Sequence, residues 1–243
     1  MANLSGGDDA RVTARSGDDL PFDVRAVLLD VDGTLVDSND AHAAAWEELL
    51  RAEGHESATF ERIRPLIGMG SDQLLPRFGV DPATGEGRAL AEERRRLFLR
   101  RFLRKVRPLP GARELLVRLR EKGLRLVIAT SASGEELDPL LRIAGVEDLD
   151  LPRTTSDDAA RSKPEPDVVR AALAVAGCRP DEALLIGDSP YDVRASAHAG
   201  TGTIALRSGG FTDEELAGAL AIYDGPAHLH AEIDRSPLAG AMR

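Results

Sequence analysis

The chain has 243 residues, of which 42% are hydrophobic and 4% aromatic, so it can bury one aliphatic core and a smaller second domain. Its 41 acidic residues outnumber its 31 basic ones, and the net charge of −10 argues against nucleic acid or an anionic membrane as a partner, because both need a basic surface. The single cysteine, Cys178, excludes an intrachain disulfide and a cysteine-based metal site, and we expect a reducing, cytoplasmic location.

The first 22 residues are rich in Gly, Asp and Arg and contain almost nothing to bury. We expect them to form a disordered tail rather than a secretory signal. The first apolar run follows at residues 26–29, and it is short and apolar on both alternating faces. This pattern is typical of a fully buried strand in a parallel sheet.

Two carboxylates and a glycine follow that strand. Asp30 and Asp32 are two residues apart, so on an extended chain both point to one spot, and Gly33 permits a sharp turn. Carboxylates this close repel each other, which favours a hard divalent cation such as Mg²⁺ between them. Taken alone, the motif fits a strand-to-turn junction with solvated acids equally well.

Residues 37–107 have a helical pattern throughout, which predicts a helical segment inserted directly after the first strand. Helices are predicted over residues 41–53, 71–77 and 88–105, with a break at 65–70 and a loop at 79–87. The arginine run at residues 94–96 is interpreted as a solvated helix face paired with Glu92 and Glu93, rather than as an anion site.

From residue 108 onward, strands and helices alternate, which predicts a parallel sheet with right-handed crossovers in a three-layer, Rossmann-like α/β domain. Further strands are predicted at 124–129, 150–153, 183–186, 203–206 and 221–223, with helices between them, one of which begins at Thr212. The expected domains are a Rossmann-like core of residues 23–36 and 108–243 and an inserted helical domain of residues 37–107.

Polar side chains follow the later strands, at the edge where ligands bind in open α/β sheets. Thr130 and Ser131 end the second strong strand, Asp188 ends the third with Asp192 one helical turn on, and Lys163 lies in the loop between them. Each has a purely structural explanation, such as a helix cap for Asp188. Together they favour a metal site beside an anion site.

These residues carry a resemblance to the haloacid dehalogenase superfamily of aspartyl phosphotransferases, over about residues 23–225. Residues 30–34 match its first motif, Thr130 the second, Lys163 the third and residues 187–192 the fourth, in the expected order. The inserted helical segment resembles the small four-helix cap of the superfamily.

The resemblance implies a role for each acid. Asp30 would be the nucleophile that forms an aspartyl-phosphate, and Asp32 the general acid and then the base. Mg²⁺ would be held by the carboxylates of Asp30 and Asp188 and by the backbone carbonyl of Asp32, with Asp192 supporting the metal shell.

The resemblance also implies a phosphate site. Thr130 and Lys163 would hold phosphate oxygens, with help from the backbone N–H groups of Gly33 and Ser131. The dehalogenases of the superfamily lack the metal-binding acids, which disfavours that activity here.

Substrate selection is expected in the cap. His42 and Trp46 are four residues apart and share one helix face. Trp46 is expected to pack in the cap core, whereas His42 either borders that core or, as in the β-phosphoglucomutase-like subfamily, contributes to acid/base control. The matching cap loop, Gly68, Met69 and Gly70, is expected to contact substrate and lacks the arginine with which the mutases grip a second phosphate.

The sequence therefore predicts a Mg²⁺-dependent phosphatase acting on a small phosphorylated metabolite, similar to the phosphoglycolate phosphatase-like members of the superfamily. A β-phosphoglucomutase-like mutase is the main alternative. A catalytically idle phosphate-binding module is disfavoured because Asp30, Asp32 and Asp188 are all present. We expect a monomer or homodimer with no nucleic-acid or membrane partner.

Overall fold

The computed structural model describes residues 23–240, so the predicted tail of residues 1–22 lies outside the described residues. In this part of the chain, no helix is long and apolar enough to span a bilayer. The strands are β1 (Ala26–Leu29), β2 (Val36–Asp37), β3 (Arg107–Pro108), β4 (Arg125–Ala129), β5 (Arg153–Thr154), β6 (Ala183–Gly187), β7 (Gly202–Leu206) and β8 (Ala221–Tyr223). The α-helices are α1 (Asn39–Ala52), α2 (Phe60–Ile63), α3 (Ser71–Leu74), α4 (Gly85–Leu97), α5 (Ala112–Glu121), α6 (Gly134–Ala144), α7 (Asp167–Ala176), α8 (Pro190–Ala199) and α9 (Pro226–Ala231).

Six strands form one parallel sheet in the order β5-β4-β1-β6-β7-β8. The central strand β1 is fully buried, and its Leu29 lies level with Ile128 of β4 and Ile186 of β6. Because β1 has neighbours on both edges and helices on both faces, every one of its residues can be apolar. The predicted three-layer α/β fold is confirmed.

Two apolar layers cover the faces of this sheet. Alternate residues of β1, β4 and β6 pack against α7 and α8 on one face, where the buried side chains are mostly small Ala and Val. The remaining alternate residues pack on the opposite face against α5, α6 and α9. The strand alternation therefore divides one apolar sequence between two helical layers.

The inserted helical segment, residues 37–107, enters and leaves through neighbouring strands. Val36 and Asp37 of β2 pair antiparallel with Pro108 and Arg107 of β3. Two-residue strands have no detectable sequence period, so the ribbon was not predicted. It places the two connections to the inserted segment side by side.

The inserted segment contains two longer helices, α1 and α4, and two single-turn helices, α2 and α3, each continued by a 3-10 turn. The predicted third helix begins three residues earlier than expected, because Thr84 caps it by accepting a hydrogen bond from Gly87 N. It continues through a π-helical turn at Phe98–Phe102.

The helix predicted to begin at Thr212 is wrong. The Thr212 backbone N donates to Glu215 Oε2 at 2.8 Å, and Glu215 N donates back to Thr212 Oγ1 at 3.3 Å, as at a helix start. Gly218 then adopts a left-handed φ of +104°, so only turns form over residues 213–218. The last helix is α9 instead.

Candidate active site

The motif after β1 forms a tight turn at the carboxyl edge of the sheet. Asp30 N donates to Ile186 O at 2.9 Å, and Leu35 N donates to Val31 O at 2.7 Å. Gly33 takes a φ of +70°, and a Cβ there would lie 2.1 Å from Asp188 Oδ2. Glycine is therefore required both by the turn and by the close approach of Asp188.

A buried lysine joins two of the predicted carboxylates. Lys163 Nζ lies 2.7 Å from Asp30 Oδ1 and 2.7 Å from Asp192 Oδ1, and the lysine is fully buried. Although burial lowers it, the charges of Asp192 and Asp30 hold the pKa of Lys163 above its usual value. Burial raises the pKa of Asp30 to about 7, against the opposing effect of Lys163. Lys163 is therefore a fixed cation beside Asp30.

Asp30, Asp188 and Asp192 form a buried carboxylate cluster in which the three oxygens lie within 4.8 Å of one another. Burial, together with the charges of Asp192 and Asp30, raises the pKa of Asp188 well above its usual value. Lys163 supplies one positive charge against three carboxylates, so the cluster carries excess negative charge when all three are ionised. Oxygen ligands and excess negative charge fit Mg²⁺, and the cluster brings together three of the four acids predicted to hold it.

The fourth-motif acids differ in their surroundings. Asp192 Oδ2 accepts hydrogen bonds from Ser189 N at 3.1 Å and Ser189 Oγ at 2.5 Å, which completes a capping box at the start of α8. Asp188 accepts hydrogen bonds from Asn39 Nδ2 to Oδ2 at 2.8 Å and from Thr34 Oγ1 to Oδ1 at 3.4 Å. Asp192 is thus anchored to its own helix, whereas Asp188 is held by side chains from the first motif and from α1.

Asp32 points to the same cavity but has different partners. Its Oδ1 accepts hydrogen bonds from Ser38 Oγ and from His42 Nε2, the latter at 2.9 Å. Although burial raises it, His42, Ser38 and Arg94 hold the pKa of Asp32 below its usual value. Both hydrogen bonds go to Oδ1, which leaves Oδ2 for a ligand.

Arg94 and Glu136 support Asp32 indirectly, and neither carries a sequence motif. Arg94 Nη1 donates to His42 Nδ1 at 3.0 Å and to Glu136 Oε1 at 2.6 Å, and Arg94 Nη2 donates to Glu136 Oε2 at 3.2 Å. The interpretation of residues 94–96 as a solvated face is therefore wrong for Arg94, whose side chain is only 12% exposed. Its partner lies about 40 residues away in sequence, where no local spacing rule could reveal it.

A cavity of about 460 Å³ lies between the sheet edge and the inserted helices. Its floor carries Asp30 and Asp32, its roof the cap-loop residues, and its walls polar side chains from α4 and from the segments after β4 and β5. The lining residues are Asp30, Asp32, His42, Trp46, Ile67, Gly68, Met69, Gly70, Ser71, Arg88, Ala91, Glu92, Arg94, Arg95, Ser131, Ala132, Ser133, Glu136, Ser156 and Asp157.

Two of the predicted phosphate ligands already have partners within the protein. Thr130 Oγ1 accepts a hydrogen bond from Ala132 N at 3.0 Å, and Gly33 N donates to Val36 O at 2.8 Å. Ser131 lines the cavity, and its buried Oγ has no partner among the described residues. The phosphate roles of Thr130 and Gly33 therefore stay predictions.

The cap loop lies directly against the core motifs. A Cβ at Gly68 would lie 2.7 Å from Ser189 Oγ, and a Cβ at Gly70 would lie 2.1 Å from Ser162 Oγ. The two glycines therefore let the loop approach Ser189 of the fourth motif and Ser162, the residue before Lys163. Gly68, Met69 and Gly70 border the same cavity as Asp30, together with His42, and their contact with substrate stays a prediction.

Trp46 both packs and lines the cavity. It is 3% exposed, and its ring lies 5.2 Å from the guanidinium carbon of Arg94, a cation–π contact. His42 stacks on Phe98 with ring centroids 3.9 Å apart. The expected packing role of Trp46 holds, and His42 combines packing with a hydrogen bond to Asp32.

Comparison with known proteins identifies relatives over most of the chain. The family model for haloacid dehalogenase-like hydrolases matches residues 27–206. A phosphoglycolate phosphatase from Rhodospirillum rubrum is 31% identical over 215 residues, which cover 84% of this chain and 89% of that protein. An N-acetylmuramic acid 6-phosphate phosphatase from Pseudomonas aeruginosa is 29% identical over 221 residues, which cover 88% and 96%.

A solved structure shares the same architecture. The crystal structure of a hydrolase from Pseudomonas syringae superposes with a TM-score of 0.80 at 33% identity, covering 87% of this chain and 98% of that one. The family match includes the strand-end acids at Asp30, Asp32 and Asp188 and spans the inserted helical segment. The chain therefore belongs to the haloacid dehalogenase-like hydrolase family, as its four motifs predicted.

Proposed function

We propose that this chain is a Mg²⁺-dependent phosphatase that hydrolyses a small phosphomonoester through an aspartyl-phosphate on Asp30. The observation that carries the proposal is the arrangement of Asp30, which lies on the cavity floor with Lys163 Nζ 2.7 Å from one of its oxygens. The paired lysine keeps a carboxylate in place as the nucleophile and screens its charge from an incoming phosphate anion.

Asp32 is proposed as the proton carrier of both half-reactions. A phosphate anion bound beside Asp32 favours the protonated form of its carboxyl group, and Asp32 Oδ2 gives this proton to the leaving oxygen as Asp30 attacks phosphorus. Asp32 then takes a proton from the water that hydrolyses the aspartyl-phosphate. The hydrogen bonds from Ser38 and His42 both go to Oδ1, which leaves Oδ2 for proton transfer. Ser131, whose hydroxyl has no hydrogen-bond partner among the described residues, is proposed in place of Thr130 as the side-chain ligand of the phosphate.

Asp30 and Asp188 are the proposed carboxylate ligands of Mg²⁺, together with the backbone carbonyl of Asp32, and Asp192 supports this set from its capping box. When bound, the ion supplies charge neutralisation of the phosphoryl group. Excess buried negative charge in the cluster supports this assignment.

Residues 37–107 are proposed to act as a cap over a core of residues 23–36 and 108–243. The side-by-side connections β2 and β3 support this division, since they suit a hinge between two bodies. Seated on the core, the inserted helices exclude water from the phosphoryl group.

The relatives indicate the class of substrate. The named relatives act on phosphoglycolate and on N-acetylmuramic acid 6-phosphate, both phosphomonoesters of organic acids. A similar substrate fits a cavity of about 460 Å³ with arginines Arg88, Arg94 and Arg95 along its wall. We propose a cytoplasmic enzyme, in keeping with its single cysteine, that acts as a monomer or homodimer; analytical ultracentrifugation measures the assembly state.

The test is release of inorganic phosphate from p-nitrophenyl phosphate with and without Mg²⁺. We expect turnover to require Mg²⁺ and to fall by about 10³-fold or more in Asp30→Asn, because the amide cannot form the phosphoenzyme. Asp23→Asn is the matched control, since Asp23 lies outside the site. Unchanged turnover in Asp30→Asn would contradict the mechanism.

A mutase remains the second candidate because arginines do border the cavity, although they lie on α4 rather than in the cap loop. A mutase would convert glucose 1-phosphate to glucose 6-phosphate in the presence of a trace of the bisphosphate. Faster isomerisation than phosphate release would establish the mutase; phosphate release alone establishes the phosphatase.

A further inference from the structure

A buried ion pair links the inserted helices to the core beside the cavity. Arg94 belongs to α4 of the inserted segment, whereas Glu136 lies in the first turn of α6 in the core. The Glu136 side chain is 1% exposed, and the Arg94 side chain 12%. The pair is bidentate, and its two hydrogen bonds, at 2.6 and 3.2 Å, give it a fixed geometry.

Glu136 stands three residues after the N-cap Ser133, but no side-chain capping bond to the helix backbone forms there. Its Oε2 accepts a hydrogen bond from Ser133 Oγ at 3.2 Å, and both of its oxygens accept from Arg94, which balances the charge. A carboxylate buried this deeply is costly without a partner, and a surface position would have avoided that cost. The ion pair therefore depends on the packing of α4 against α6.

The ion pair acts on Asp32 through His42. A guanidinium has no acceptor, so the contact from Arg94 Nη1 makes His42 Nδ1 the acceptor nitrogen. The neutral ring then carries its proton on Nε2 and donates it to Asp32 Oδ1 at 2.9 Å. Glu136 holds Arg94 in this position, which in turn fixes the tautomer of His42.

We propose that Glu136 is a positioning residue for the proton carrier Asp32, acting through Arg94 and His42, and that it does so only while the inserted helices are seated on the core. The inference rests on the proposed function of Asp32. It assigns a role to a core residue outside the four motifs. Loss of the Glu136 charge frees Arg94 from α6 and leaves His42 without its fixed donor partner.

The kinetic test compares two leaving groups. Nitrophenolate departs without a proton, whereas the alkoxide of phosphoglycolate needs one from Asp32. We expect Glu136→Gln to lower kcat for phosphoglycolate about tenfold or more and kcat for p-nitrophenyl phosphate less than about threefold. Glu135→Gln is the matched control, because Glu135 is the neighbouring residue of α6, is 68% exposed and lies outside the cavity lining.

Arg94→Lys provides a second variant in case Glu136→Gln does not fold, because it keeps the charge but not the two-pronged contact. It is expected to show the same selective loss on phosphoglycolate. An equal loss on both substrates, or no loss on either, overturns the proposal. A wild-type enzyme that hydrolyses neither substrate contradicts the proposed function instead and leaves the positioning proposal to the measurement that follows.

That measurement does not depend on turnover. In protein with ¹⁵N-labelled histidine, the ring nitrogens of His42 report which of them carries the proton. Wild type is expected to show the Nε2–H form at His42, and Glu136→Gln a mixture of both forms, while Glu135→Gln matches wild type. An unchanged His42 signal in Glu136→Gln overturns the positioning role.

Discussion

Thr130 and Ser131 are neighbours with different surroundings. Both follow β4, which ends at Ala129 beside β1. Ser131 lines the cavity together with Asp30 and Asp32. Thr130 Oγ1 instead accepts a hydrogen bond from Ala132 N, which stabilises the loop. We therefore expect substitutions at the two positions to have different effects.

Ser131→Ala is expected to raise KM for a phosphomonoester by roughly 10- to 100-fold, because a hydrogen bond to a charged oxygen is worth about 1.5–3 kcal/mol. Thr130→Val is the comparison, and it is expected to lower Tm while keeping KM within about twofold. Steady-state kinetics and thermal denaturation of both variants check this. The opposite pattern would return the phosphate ligand to Thr130.

At the level of elements, the cap loop between α2 and α3 is held to the core by specific contacts. Tyr191 Oη donates to Pro65 O at 2.7 Å, and Ser162 N donates to Asp72 Oδ2 at 3.0 Å. Arg64 adds a hydrogen bond from Nη2 to Gly209 O at 2.7 Å. These contacts bring the loop against the third and fourth motifs, so its backbone must fit closely at Gly70.

Gly70→Ala is expected to lower kcat/KM by about 10- to 100-fold, because the new Cβ would lie 2.1 Å from Ser162 Oγ and the loop must move away from the cavity. Gly85→Ala is the control, since a Cβ at the first residue of α4 meets nothing within 4 Å. Kinetics with p-nitrophenyl phosphate compare the two. Equal activities would show that the cap loop need not fit closely.

For the molecule as a whole, the buried carboxylate cluster opposes folding when no cation is present. Burial raises the pKa of Asp30 from 3.8 to about 7 and also raises that of Asp188. Between pH 4 and 7 the folded protein therefore holds protons that the unfolded chain has released. By linkage, the contribution of Asp30 to stability falls as pH rises through this window, by up to ~1.4 kcal/mol per pH unit, and Asp188 acts in the same direction.

We expect Mg²⁺ to raise Tm more at pH 7.5 than at pH 5, because at the higher pH the ion binds ionised carboxylates without displacing protons. In Asp188→Asn, the metal-free protein is expected to be more stable than wild type at pH 7.5 and to lose the response to Mg²⁺. Differential scanning calorimetry at both pH values measures this. A Mg²⁺ shift independent of pH would contradict the role of the cluster.

Much of the fold followed from local patterns. Short apolar runs ending on carboxylates, with helices between them, were enough to predict the parallel sheet and the edge that carries Asp30, Asp32 and Asp188. The motif spacing also placed Lys163 with them, since strand order brings the carboxyl ends together. The strands β2 and β3 and the turns after Thr212 were not predicted correctly, because segments this short are below the length at which hydrophobic periodicity is informative.

The sequence by itself determined the sheet, the inserted segment and the identity of the acids, because these depend on spacing along one strand or one helix. Only the tertiary structure decided that Ser131 lines the cavity and that Gly33 N–H is already bonded within its turn. The pairing of Arg94 with Glu136 likewise became visible only in the tertiary structure. These outcomes depend on which residues from distant segments meet, and that is set by packing of the whole chain rather than by neighbours in sequence.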